Sequence, residues 1–262
     1  MKKTMIVISA ILLALAVLSG CVSTTAQGDT PKPASNEQVY KCLLGRTPVL
    51  DGKFDEPAWE GVAWEHQTSI QGAPVKDDKD SDFAMACVAD DTNLYIAFDI
   101  TDDKIVSGKS KWPDYYMEDS IEFFIDPNNK KTSAYDNDDA QVTIAAGNIG
   151  RGLKTTMLNN EGFVDVEKGL MVSGKGIYDK IPTSAFSIKT DKGWAVEISI
   201  PLKTAKYTIV PKNGTVIGWG ANYNDNDSGG RDRQLVWSKK DYANKSWMQS
   251  NVFGGLMFVD KL

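Results

Sequence analysis

Asp90-Asp91-Thr92-Asn93-Leu94-Tyr95-Ile96-Ala97-Phe98-Asp99-Ile100 decides the fold class. Four turn-forming residues come first. Apolar residues then fall at every second position: Leu94, Ile96, Phe98 and Ile100. A period of two sends one set of side chains to one face of a strand, and Tyr95, Ala97 and Asp99 to the other. Asp and Asn side chains hydrogen-bond to nearby backbone, which favours turns. The stretch therefore reads as a strand entered through a tight turn, with one face in a core.

The same period recurs on both sides of it. Phe83, Met85 and Cys87 alternate upstream, and Ile121, Phe123 and Ile125 downstream. Val142 and Ile144 follow, then Trp194, Val196, Ile198 and Ile200, then Ile217 and Trp219. Asp126-Pro127-Asn128-Asn129, Asp191-Lys192-Gly193, Pro211-Lys212-Asn213-Gly214 and Ser228-Gly229-Gly230 punctuate the runs. The helix candidates are short, around Glu56 to Trp59 and Leu202 to Ala205. Many turn-separated strands predict an all-β fold, an antiparallel β-sandwich of immunoglobulin-like or jelly-roll-like kind with short helical turns.

The N-terminus is different. Lys2 and Lys3 precede Met5 to Leu18, which is apolar except for Ser9. That is the basic start and apolar stretch of a secretory signal, too short to span a membrane as a helix. It ends in Leu18-Ser19-Gly20-Cys21, which resembles the lipobox of bacterial lipoproteins, whose Cys is acylated. Residues 1–20 are thus expected to be a signal peptide. Residues 21–38, rich in Ser, Thr, Gly and Pro, read as the lipidated Cys and a flexible linker. Residues 39–262 form the folded domain. The chain is expected outside the cytoplasm, anchored to a membrane at the cell surface or facing the periplasm. Cys42 and Cys87 lie in predicted strands, and either a disulfide or two small buried hydrophobes fits them.

The formal charge is −6, and two units more negative once Lys2 and Lys3 leave with the signal. An acidic domain is a poor partner for phosphate backbones, so nucleic acid is set aside. No glycine-rich phosphate loop leads into a helix, and no organic cofactor is indicated. The single histidine, His66, has no nucleophile motif nearby. Glu122 and Glu197 stand out as strand carboxylates, with Glu197 read as part of a solvated outer face. Seven Trp and nine Tyr are a generous supply. Trp112, Tyr115, Tyr116 and Trp247 sit in polar loops, where aromatic rings suit the apolar faces of sugars. Asp136, Asn137, Asp138 and Asp139 follow Asp126, Asn128 and Asn129. Oxygen at this density suits a hard cation such as calcium, with Asp136 and Asp138 as candidate ligands. A solvated acidic loop fits them equally.

Several segments in this order resemble the family 9 carbohydrate-binding modules, β-sandwich modules attached to bacterial xylanases. They are Pro48 to Asp55 with Trp59, Asp91 to Tyr95, Asp119 to Asp126, Asp138 to Gln141, Gly193 to Glu197, Val216 to Gly218 leading to Asn224-Asp225, and Ser246-Trp247 before Phe253-Gly254. The resemblance covers about Thr47 to Phe258. It implies a sugar clamped between Tyr116 and Trp247, with Glu122 as a hydroxyl acceptor and Asn222 and Asn244 as amides. It also implies structural calcium. Tyr116 stands where the best-known type of module has Trp, Thr143 where it has Arg and Asn222 where it has Gln, and Gly220 replaces another amide.

The expectation is a non-catalytic, membrane-anchored lipoprotein that binds a mono- or oligosaccharide of xylan or cellulose type. It would serve polysaccharide breakdown beside a glycoside hydrolase or transporter on another chain. The alternatives are a haem-binding electron-transfer domain, a hydrolase or hydrolase-associated accessory domain, and an adhesion module.

Overall fold

The computed structural model describes residues 36–110, 114–146, 149, 152–154, 170–173 and 181–262. Cys21, the signal residues 1–20 and Trp112 lie outside the described residues. Among the described residues, two from the stretch read as linker contact the folded domain. Glu37 pairs with Lys131 and Lys240. The Gln38 carbonyl accepts from Gly255 N at 2.8 Å.

The described residues form fourteen strands, in chain order β1 Val39–Leu44, β2 Glu65–His66, β3 Ser69–Gly72, β4 Ser81–Ala89, β5 Asn93–Asp102, β6 Ser120–Asp126, β7 Ala140–Ala145, β8 Gly152–Lys154, β9 Leu170–Ser173, β10 Ser184–Lys189, β11 Gly193–Pro201, β12 Val216–Asp225, β13 Arg233–Val236 and β14 Gly254–Val259. Hydrogen bonding joins them in the order β8-β10-β11-β5-β4-β1-β14-β12-β6-β7-β9, with β2 on β4 and β13 and β3 on β12. All pairings are antiparallel except those of β1, which is parallel to both β4 and β14. β1 is the seam between two leaves. It leaves β14 for β4 only at Leu43 and Leu44, and the Tyr40 hydroxyl fills the opening before that point. This hydroxyl accepts from Cys87 N at 2.9 Å and donates to Ala63 O at 2.8 Å.

The two leaves close on one core, as the alternating runs require. Phe83, Phe98, Ile100, Trp194 and Val196 come from the first leaf, and Ile121, Phe123, Trp219, Tyr223 and Phe258 from the second. Trp194 meets Tyr223 across the interface at 6.3 Å.

The first leaf differs from expectation on its outer side. Tyr95 and Ala97 are buried along with their core-facing neighbours. The segment 46–64 lies over them, packing Trp59, Phe54 and Trp64 against Ala86, Val88, Tyr95 and Ala97. Glu197 is therefore buried, not solvated. It accepts from Trp59 Nε1 at 2.7 Å, Asp51 N at 2.9 Å and Gly52 N at 2.8 Å. Burial pushes its carboxyl up to about 7 against those donors.

Pro57–Trp59 forms the expected helical turn. Leu202 to Ala205 does not. The Thr204 hydroxyl accepts from Lys206 N and Tyr207 N, which closes a turn in place of a helix. Cys42 and Cys87 are free and wholly buried.

Candidate functional site

The outer face of the second leaf is polar, and this follows from register. Residues directly opposite on antiparallel strands point to the same side. Glu122 of β6 lies opposite Thr143 of β7 and Asn222 of β12. Ser120 lies opposite Asn224, and Asn224 opposite Gln234 of β13. Ser120, Glu122, Gln141, Thr143, Asn222, Asn224 and Gln234 are all buried on this one face.

Glu122 is its hub. Oε1 accepts from Gln141 Nε2 at 2.7 Å and Thr143 Oγ1 at 3.2 Å. Oε2 accepts from Gln234 Nε2 at 3.0 Å. Burial raises the Glu122 carboxyl above the usual range, while the Arg231 charge and the amide donors pull it down. Gln234 Nε2 also donates to Asn224 Oδ1 at 2.9 Å. Two buried polar atoms are left without a protein partner here, Asn222 Nδ2 and Gln234 Oε1. Unmatched buried polar atoms cost free energy, so a donor and an acceptor left open on one face can be satisfied by the hydroxyls of a ligand.

The two aromatics lie at opposite ends of this face. Tyr116 is half-buried in the helical turn Asp114–Met117, just ahead of β6. Arg231 reaches back from the β12–β13 hairpin, its guanidinium carbon 5.4 Å from the centre of the Tyr116 ring. Trp247 is 55% exposed. Its loop is held at the Phe124 end of β6: Tyr135 bonds to Ser246 O and Met248 O, and packs on Phe253, which packs on Phe124. Asp241 accepts from Lys245 N and from the backbone and hydroxyl of Ser246, fixing the loop from inside. Trp247 Nε1 donates to Asn244 O at 3.1 Å, and Asn244 has a positive φ of 51°. So Asn244 meets Trp247 through its carbonyl. Between the two ends the face runs from Ser120 to Phe124, about 13 Å at the rise of a strand.

Tyr116, Glu122, Asn222, Asn244 and Trp247 thus share one face and its rim. Gln141, Gln234 and Arg231 join them without having been singled out in the sequence. Gln234 and Arg231 are more than 100 residues from Glu122, and only strand pairing reveals them.

Asp136 and Asp138 sit in a turn closed by protein donors. Asn128 Nδ2 bonds to Asp136 at 3.1 Å and Asp138 at 2.9 Å, and Lys130 pairs with Asp136. Among the described residues carboxylates converge elsewhere, at Asp80, Asp103 and Asp227 and at Asp102, Asp119 and Asp225. Asp102, Asp119 and Asp225, all buried, place one oxygen each within 4.8 Å of one another. Asp225 Oδ2 has no hydrogen-bond partner and lies 3.3 Å from Arg233 Nε. Burial, and then the neighbouring Asp102 charge, push Asp119 up to about 9. Burial pushes Asp225 up to about 7. An all-oxygen set of this kind fits calcium. His66 is exposed on β2 and pairs with Asp82 at 3.1 Å, away from the polar face.

The family profile described as "Carbohydrate family 9 binding domain-like" matches residues 50–261. The chain belongs to this family. Among curated relatives, it is 34% identical over 235 residues to Exoglucanase XynX of Acetivibrio thermocellus, which covers 88% of this chain and 18% of that protein. It is 31% identical over 230 residues to Endo-1,4-beta-xylanase A of Thermoanaerobacterium saccharolyticum, covering 87% and 17%. The chain spans less than a fifth of the length of these relatives. Among solved structures, a family 9 module from Caldicellulosiruptor kristjanssonii in complex with cellotriose matches with a TM-score of 0.66 at 19% identity, covering 86% of this chain and 95% of that one. A complex of a module from the same organism with glucose matches at 0.63, with 20% identity, 86% of this chain and 97% of that one. At such identities the likeness establishes the family 9 β-sandwich fold.

Proposed function

We propose that this family 9 domain is a non-catalytic sugar-binding protein that holds a mono- or oligosaccharide on the polar face between Tyr116 and Trp247. One observation carries the reading: Asn222 Nδ2 and Gln234 Oε1 are buried without a protein partner on the polar face that has Tyr116 at one end and Trp247 at the other. Rings stack on the apolar faces of a pyranose, and the amides take its hydroxyls. Glu122 anchors the Gln234 amide through Oε2 and serves in this reading as a hydrogen-bond acceptor, not as a catalytic acid or base. The names of the relatives point to xylan- and cellulose-type chains, and those of the structural neighbours to cellotriose and glucose. Titration calorimetry with xylo- and cello-oligosaccharides tests the reading. Measurable binding is expected, weakened roughly tenfold or more in Trp247→Ala. Absence of binding at millimolar sugar, or binding indifferent to Trp247→Ala, sinks it.

Calcium at Asp102, Asp119 and Asp225 belongs to the same proposal. It would tie the end of β5, the entrance to β6 and the end of β12 together, and supply positive charge to three buried carboxylates. Acylation of Cys21 would hold the domain at a membrane through the linker, where it keeps glycans close for a glycoside hydrolase or transporter on another chain. Fractionation of cells producing Cys21→Ala protein tests the anchor. The variant is expected in the soluble exported fraction, and its retention in the membrane would exclude lipidation at Cys21.

A further inference from the structure

We infer that Arg231 makes this a site for acidic sugars, oligosaccharides that carry a uronic acid carboxylate. The inference rests on the sugar-binding reading above and names the ligand class.

The chain has 35 acidic residues, and many of its cations are paired among the described residues. Half-buried Arg46 and Arg231 make no ion pair among them, and Arg46 donates to the Pro57 carbonyl. Lys76 pairs with Asp80 and Asp227, Arg233 with Asp80 and Asp225, Lys130 with Asp136, and Lys192 with Asp99. Arg231 forms no ion pair among the described residues, although its charge reaches Glu122. Two neutral contacts hold it: Nη1 donates to Asn224 Oδ1 at 3.1 Å, and the guanidinium lies over the Tyr116 ring. Stacking on an aromatic face orients the guanidinium plane at small entropic cost. One N–H is used, and the remainder of the five-donor fork has no partner among the described residues.

A guanidinium held in this way matches a carboxylate, which accepts two parallel N–H bonds. Glu122 cannot move to meet it. It is buried in the sheet face, with both oxygens engaged by Gln141, Thr143 and Gln234. Arg231 is also tied to the ligand-facing groups: Asn224, its acceptor, takes a second bond from Gln234, whose Oε1 is open. A sugar whose hydroxyls reach Asn222 and Gln234 would bring a carboxylate substituent to the Tyr116 end, where the free fork lies. A neutral sugar would leave most of that fork unused.

The test compares xylotriose with glucuronic-acid-substituted xylotriose by calorimetry, on wild type, Arg231→Gln and Arg231→Lys. Thermal melts confirm that the variants are folded. The substituted sugar is expected to bind wild type about tenfold or more tightly than the neutral one. The preference should shrink as salt is raised. In Arg231→Gln the ratio between the two sugars should fall to about one, with Arg231→Lys between, since Lys keeps the charge without the fork. Equal affinity for the two sugars in wild type, or a preference that survives Arg231→Gln, overturns the inference and leaves the sugar-binding reading standing. Failure of wild type to bind either sugar overturns both.

Discussion

Single residues in this domain take their roles from what lies over them. Glu197 and Glu122 occupy equivalent positions in sequence terms, each a carboxylate at an outward position of an alternating strand. Both are buried, but for different purposes. Glu197 receives an indole N–H and two backbone N–H groups, and so staples the 46–64 segment to β11. Glu122 receives two amides and a hydroxyl, and so arranges a face that remains open at Asn222 and Gln234. Glu197→Ala strands three donors in a buried place, at a cost of about 3 kcal/mol. Denaturant unfolding should show that loss, while sugar affinity stays unchanged, because Glu197 lies on the other leaf. A loss of affinity equal to that of Trp247→Ala would contradict the separation of the two faces. None of this is legible in the alternation, which marks Glu197 as the outward residue of its strand and cannot see the covering segment.

At the scale of elements, β12 does the most. It pairs with β6, β13 and β14, and carries Gly218, Gly220, Asn222 and Asn224 on its outer face. The two glycines make room. A Cβ on Gly218 would come within 2.7 Å of the Asp126 Cβ, closer than packed atoms tolerate. Asp126 in turn accepts from Lys130 N and Lys131 N, shaping the turn after β6. Gly218→Ala is expected to destabilise the domain by about 2 kcal/mol through overpacking. A denaturation midpoint within error of wild type would show that Asp126 yields freely. The sequence marked β4, β5, β6, β7, β11 and β12 by their period. It left β13 unmarked, because Arg233-Gln234-Leu235-Val236 is buried throughout and shows no alternation of exposure. β3 exists by virtue of pairing with β13, from Gly72 opposite Arg233 to Ser69 opposite Val236.

For the whole molecule, the buried aspartates are expected to set the response to pH, and under the proposed calcium seat the response to calcium as well. Asp119 and Asp225 have carboxyls raised to about 9 and about 7, from near 4 in an unfolded chain. A raised acid contributes stability fully below its unfolded value, and that contribution is lost as pH rises through the folded value. The metal-free domain should therefore lose stability between about pH 4 and pH 9. Calcium would take the place of the protons, so its effect should grow over the same window. At a hundredfold excess over its dissociation constant, calcium would add about 2.7 kcal/mol, or ~5–10 °C in melting temperature. Melts at pH 6 and pH 8, in calcium and in chelator, check this. Identical melting temperatures in all four conditions would exclude a calcium seat.

The residues alone determined that this chain is an all-β sandwich, because a two-residue period needs only neighbours along one strand. They also placed Tyr116, Glu122, Asn222, Asn244 and Trp247 in one group, through the order of segments shared with a family. Only the tertiary structure decided that Glu197 is buried, that Asp102, Asp119 and Asp225 converge, and that Gln234 and Arg231 belong to the polar face. The physical reason is range. Periodicity reports which side of a strand a residue occupies. What meets it there depends on strand register and covering loops, set by contacts between residues 100 and more apart.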